Sequence, residues 1–235
     1  MSMQSDWVPV QSCGDGTTTS FFIARYPVTC RAYQAVMGQG GATDASAPGY
    51  DQIMQRATWF DAIRFCNRIS AAYHLPPAYC ERRGAHLDAR GELTFDLAAV
   101  AGFRLPTARE WEYAAKGWSG RKLGDYFDVH RRLFRIPGLD YPITAREAAM
   151  YAHGYAHLSE LAPNPIGIAG LLGYAREWFS DCDEIRGTKN GLCYWEEYTY
   201  NYDNAIAYQV KTEFCGDGDT HAFRPVINAG SFPVA

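Results

Sequence analysis

Hydrophobic positions fall into two periodicities along this chain. Trp59, Ala62, Ile63, Cys66, Ile69 and Tyr73 recur every three or four residues, which predicts one buried face of an amphipathic helix. Thr58 stands before that face as an N-cap, Asp61 falls at the third helical position, and Pro76-Pro77 predicts the stop. A shorter helix is predicted from Thr29 as N-cap through Met37, closed by Gly38. Thr107-Ala-Arg-Glu110 reads as a capping box opening a third helix to Lys116, with Gly117 after it.

The remaining pattern is short and strand-like. Phe21–Val28 reads as a strand, and residues 79–105 alternate strand-like pieces with turns. Residues 38–50 and 119–175 read mostly as loop. Four more strands are predicted at Ala175–Ser180, Leu192–Tyr202, Ala205–Phe214 and Ala222–Ile227. Few helices, many short strands and no low-complexity linker predict an α+β fold in one domain, residues 1–235. Long ordered loops of this kind tend to carry function.

Composition narrows the class. The 235 residues are 47% hydrophobic and 20% charged, a globular mix. The net charge of −4 does not suit a phosphate backbone, so no nucleic-acid partner is expected. No apolar run reaches membrane-spanning length, and the first residues lack a signal-peptide pattern. The 7 cysteines stand at 13, 30, 66, 80, 182, 193 and 215, with no Cys-x-x-Cys, which argues against a zinc ribbon or thioredoxin motif. An odd count leaves at least one thiol free or paired between chains. Cys66 reads as a core residue. Cys13-Gly-Asp-Gly16 recurs as Cys215-Gly-Asp-Gly218, and two free thiols are expected there rather than a bridge.

Several segments occur in a telling order: Tyr26-Pro-Val-Thr29, Trp59-Phe-Asp-Ala62, Phe103-Arg-Leu-Pro-Thr-Ala-Arg-Glu-Trp-Glu-Tyr-Ala-Ala115, Pro163-Asn-Pro-Ile-Gly167, Leu172-Gly-Tyr-Ala-Arg-Glu-Trp178, Arg186-Gly187 and Phe223-Arg-Pro-Val226. This set resembles the formylglycine-generating-enzyme (sulfatase-modifying factor) family over roughly residues 20–227. The resemblance implies a C-type-lectin-like fold with much irregular structure. The same segments also have a plain packing role. Leu105 and Trp111 suit the core, Thr107 and Glu110 cap a helix, and Glu112 or Arg104 suits a paired buried charge.

The resemblance also implies chemistry, and here the chain departs from the pattern. The family's oxidases hold copper with two cysteines a few residues apart, because soft Cu(I) needs two close thiolates. In Arg186-Gly-Thr-Lys-Asn-Gly-Leu-Cys193, Cys193 matches the first, and no second follows before Cys215. The family's calcium-associated Gly-Asn-Val-x-Glu-Trp pattern reads Gly173-Tyr-Ala-Arg-Glu-Trp178, so an Asn ligand becomes Tyr174, and Glu177 alone cannot form an oxygen cage. A related branch uses histidine-bound iron, and His153 and His157 alone do not make such a site. No catalytic residues, metal ligands or cofactor are therefore expected.

Residues 193–208 read Cys-Tyr-Trp-Glu-Glu-Tyr-Thr-Tyr-Asn-Tyr-Asp-Asn-Ala-Ile-Ala-Tyr, six of sixteen aromatic. Tyrosine gives rigid amphipathic contact area, and Asn and Asp give adaptable hydrogen bonds, the composition of a paratope. A tyrosine stripe packed on the core is the competing reading. The segment stands where the enzymes carry their catalytic part. In this it resembles the variable proteins of diversity-generating retroelements, which display a C-terminal variable region on this type of fold. The expected function is a non-catalytic ligand-binding display protein using Tyr194, Trp195, Glu197, Tyr198, Tyr200, Asn201, Tyr202 and Asn204. The alternative is a copper- or iron-dependent oxidase using Cys193, with Cys215. The expected partner is a protein or surface ligand, the expected state a monomer, and the resemblance to variable proteins implies a cell-surface or extracellular location.

Overall fold

The computed structural model describes residues 6–12, 19–38, 53, 56–115, 163, 164, 166–169, 177–185, 188–200, 206–215 and 221–233; for 112, 181–185, 188–200 and 206–215 it describes the backbone only. The two ends of the chain meet in one antiparallel sheet. Its strands are β1 (Trp7–Val10), β2 (Phe21–Ala24) and β8 (Val226–Asn228), in the order β1-β2-β8. Trp7 stands opposite Ala24, and Phe22 opposite Ile227. Both faces of this sheet are buried. Trp7, Ala24 and Ile227 pack into one apolar cluster, and Val8, Val10, Phe21, Ile23 and Val226 into another.

The helices cover those faces. α2 (Trp59–Ala72) brings Trp59, Ala62, Ile63, Phe65, Cys66 and Ile69 into the first cluster, as its periodicity demands. α3 (Ala108–Ala115) brings Trp111, Ala114 and Ala115 into the second. α1 (Cys30–Met37) contributes Cys30 and Tyr33. All three starts form at the predicted caps. Thr29 Oγ1 accepts from the Ala32 amide at 3.0 Å. Thr58 Oγ1 accepts from the Asp61 amide, and the Asp61 carboxylate accepts from the Thr58 amide, both at 3.1 Å. Thr107 and Glu110 repeat this reciprocal pattern at 3.0 and 2.8 Å.

Helix α2 ends earlier than its prolines predict. His74 takes φ 58°, the Leu75 amide donates to the Ser70 carbonyl at 2.9 Å, and the His74 amide donates to Ala71 at 3.0 Å. This is a Schellman stop with histidine where glycine is usual, so composition did not mark it. Tyr73 is accordingly a half-buried cap rather than part of the buried stripe.

Strand β2 stops at Ala24, four residues short of the predicted Val28. Pro27 has no amide to give a ladder, and Val28 donates instead to the Phe223 carbonyl at 2.8 Å. Short strands β3 (Tyr79–Cys80) and β4 (Ala85–His86) pair as predicted for that turn-rich stretch. A second three-stranded antiparallel sheet runs β5 (Glu177–Ile185), β6 (Thr188–Tyr200), β7 (Ile206–Cys215) in that order. Few helices, short antiparallel strands and much irregular chain make this an α+β fold, as the sequence predicts.

Candidate functional site

The described residues hold two buried ion pairs. Arg104 donates to both Glu110 carboxylate oxygens at 2.7 and 2.6 Å and to Asn228 Oδ1 at 3.0 Å. Arg224 grips Glu177 in the same two-pronged way, at 2.7 Å on each oxygen. Trp111 Nε1 adds a third bond to Glu177, at 3.1 Å. Burial works to raise the Glu110 carboxyl, but the Arg104 charge and hydrogen bonds from Arg104 and Thr107 outweigh it and hold the group below the usual glutamate range. Burial alone pushes the Cys66 thiol up, so it is an inert core residue.

The Arg224–Glu177 pair fixes the root of the second sheet. Glu177 opens β5 and stands opposite Tyr194 on β6, which stands opposite Thr212 on β7. Trp178, fully buried, stands opposite Cys193 and donates from Nε1 to the Ala57 carbonyl at 2.8 Å. Beyond the Glu177 rung, β6 and β7 continue as a two-stranded ladder from Trp195↔Lys211 to Tyr200↔Ile206. That register is unbroken from Gly191↔Cys215 onward, so successive residues alternate strictly between the two faces of the ladder. One face takes Leu192, Tyr194, Glu196, Tyr198 and Tyr200 with Ile206, Tyr208, Val210, Thr212 and Phe214. The other takes Gly191, Cys193, Trp195, Glu197 and Thr199 with Ala207, Gln209, Lys211, Glu213 and Cys215.

Comparison with known proteins decides the family. Residues 11–212 match the sulfatase-modifying factor enzyme 1-like domain. The chain belongs to this family. A 109-residue stretch is 33% identical to the chaperone protein LppX of Paenibacillus barcinonensis, over 43% of this chain and 38% of that protein, so the match spans well under half of the relative's length. Two solved structures share the fold. CarF superposes with a TM-score of 0.58 at 20% identity, over 90% of this chain and 87% of that one. Treponema denticola variable protein 1 superposes with a TM-score of 0.50 at 19% identity, over 89% of this chain and 85% of that one.

Within this sulfatase-modifying-factor fold, the signature residues act as packing elements. Glu177 accepts from Arg224 and Trp111 through its two carboxylate oxygens, so its countercharge is supplied within the core. Asn164, in the Pro-Asn-Pro-Ile-Gly segment, donates to Ala114 at 2.9 Å and accepts from Ile168 at 2.8 Å, tying that turn to α3. Cys193 and Cys215 lie on neighbouring strands, and Cys182 and Cys215 are both partners of Gly191. By strand parity Cys193 and Cys215 share one face as diagonal neighbours, but they come from separate strands, whereas the resemblance implies a pair a few residues apart in one segment. Cys66 and Cys80 are free thiols. Among the described residues no three His, Cys, Asp or Glu side chains gather as a metal site, and no helix is long and apolar enough to cross a membrane. Cys13, His153 and His157 lie outside the described residues.

The predicted ligand residues divide. Tyr194, Tyr198 and Tyr200 share one face of the β6–β7 ladder, while Trp195 and Glu197 belong to the other. Asn201, Tyr202 and Asn204 lie outside the described residues. Glu196 and Tyr208, absent from the predicted set, belong to the tyrosine face. Strand parity alone marks them, once the register is known.

Proposed function

We propose that this protein is a non-catalytic ligand-binding protein, folded as one unit over residues 1–235, and that its β6–β7 ladder carries the binding surface. The observation that carries this reading is the ladder itself. It continues past the rung rooted by the Arg224–Glu177 pair and brings three tyrosines of β6 and one of β7 to a single face. Rigid aromatic area on strands rooted in a packed core is what a preorganised binding face requires. The family's oxidation site lacks its cysteine pair in the matching segment, which favours binding over catalysis. The fold shared with a variable protein, together with the Tyr/Asn-rich composition, supports the retroelement reading.

Two measurements test this. In the folded protein, Tyr194, Tyr198 and Tyr200 should react with a small tyrosine-modifying reagent, read by mass spectrometry of digests. Complete protection of all three overturns the surface. For the retroelement reading, the neighbouring DNA should hold a reverse transcriptase gene and a near-copy of the segment differing mainly at adenines. The oxidase alternative rests on Cys193 and Cys215 lying on adjacent strands. Tight one-to-one Cu(I) binding, lost on Cys193→Ser, would replace the binding-only reading with that one.

A further inference from the structure

On the tyrosine face of the β6–β7 ladder, ten positions hold a single charge. Leu192, Tyr194, Tyr198, Tyr200, Ile206, Tyr208, Val210, Thr212 and Phe214 are neutral, and Glu196 sits in the middle of them. Tyr194 and Tyr198 flank Glu196 along β6, each roughly 6.8 Å away along the strand. Tyr208 is its diagonal neighbour on β7, at a Cα separation of roughly 7–8 Å. The opposite face treats its glutamate differently: Glu197 has Lys211 as its own diagonal neighbour, so a countercharge is built into the ladder. No cation occupies any of the ten positions around Glu196. Glu177, opposite Tyr194 on that face, is already neutralised by Arg224.

A carboxylate position flanked by tyrosine positions, with no cation among the ten ladder positions of its face, suits a positively charged group. Aromatic faces attract cations through their quadrupole, and a carboxylate adds a direct Coulomb attraction. We propose that the Glu196 neighbourhood, with Tyr194, Tyr198 and Tyr208, binds a cationic nitrogen group of the ligand: an ammonium, guanidinium or quaternary ammonium. Val210 and Ile206 on the same face suit the methylene stem of a lysine or arginine side chain. A basic protein surface is therefore the favoured partner, and an anionic ligand is disfavoured by Glu196 itself. This rests on the reading of the ladder as the binding surface and adds the ligand's chemistry to it.

The test uses the full chain and defined probes: tetramethylammonium and Nα-acetyl-arginine amide, with the neutral Nα-acetyl-citrulline amide and a neutral monosaccharide as controls. Binding is read by chemical-shift changes of tyrosine ring resonances. The cationic probes should bind and the neutral ones should not. Glu196→Gln should weaken cation binding by about tenfold or more, since it removes the one charge among those ten positions. Glu213→Gln makes the same charge change on the opposite face and should leave affinity within about twofold. Cation binding indifferent to Glu196→Gln, or a preference for the neutral sugar, overturns the proposal. If the tyrosines react with the modifying reagent but no cationic probe binds, the ligand class is wrong and the surface stands. If the tyrosines are fully protected, the surface itself is wrong.

Discussion

Residues 104–111 and residues 194–200 each set a tryptophan beside a glutamate, yet the fold uses them in opposite ways. In the first, the buried Arg104, Glu110 and Trp111 spend their polar groups internally, apart from Arg104 Nε. Glu110 caps α3 and neutralises Arg104 at once, and Trp111 spends its indole N–H on Glu177. In the second, the ladder takes up the backbone groups, and the acidic positions are split by strand parity, Glu197 beside Lys211 and Glu196 among tyrosines. The first segment specifies the fold, because changing one member strands a buried partner. The second only has to keep its register, which leaves its residue identities free to serve a ligand.

If the first region is as interlocked as its geometry implies, breaking it should have the largest effects. Arg224→Met leaves the Glu177 carboxylate buried, with Trp111 as its remaining side-chain donor. A loss of about 3–5 kcal/mol is expected, measured by urea denaturation. Gly102→Ala comes next. A Cβ there meets the Pro76 carbonyl and lies 2.8 Å from Ser70 Oγ, the oxygen that accepts from the Phe103 amide. Backbone and a bonded hydroxyl have nowhere to go, so about 1–3 kcal/mol should be lost. Parental stability in this variant would show the turn at Gly102 to be looser than its contacts imply.

Acid should separate the regions as well. The folded Glu110 carboxyl lies below its ordinary value of about 4.3, so its contribution to stability is present above that pH. It is lost as pH falls through the folded value, when Glu110 protonates and releases Arg104. Urea midpoints should therefore fall below about pH 4, and the part due to this pair should vanish in Glu110→Gln. Thr58→Ala tests a more local device. Removing this cap frees the Asp61 amide at the start of α2, and about 1 kcal/mol should be lost.

The legible parts of the molecule were those decided within a few residues. All three helix starts were readable, because a cap and its partner lie three positions apart. The core stripe of α2 was readable too, although Phe65, which lies between stripe positions, is also fully buried. Arg104 was legible as a buried charge, but its partner Glu110 read only as a cap, because one carboxylate performing both tasks leaves no separate trace in spacing. The Arg224–Glu177 pair joins residues 47 positions apart, and no local pattern announces it. The division of the tyrosine segment was hidden for a related reason. Alternation says that neighbours part company, but only the pairing of β6 with β7 tells which residues join across the ladder.

The smallest expected effect bears most directly on function. Tyr198 and Tyr200 stand on rungs past the last β5 partner, opposite Tyr208 and Ile206. If their face serves a ligand, truncation should remove contact area that the folded chain does not itself need. The double variant Tyr198→Ala/Tyr200→Ala should then keep its urea midpoint, with each change within about 0.5 kcal/mol, as for surface substitutions generally. If the same tyrosines are a stripe packed on the core, each truncation removes a buried aromatic ring, and about 3–5 kcal/mol is lost per site. The two readings differ several-fold, well beyond the error of a denaturation midpoint. A large loss would move residues 194–200 into the same class as 104–111 and remove the distinction between the two regions. A small loss combined with weaker binding of the cationic probes would place these residues on the side of recognition.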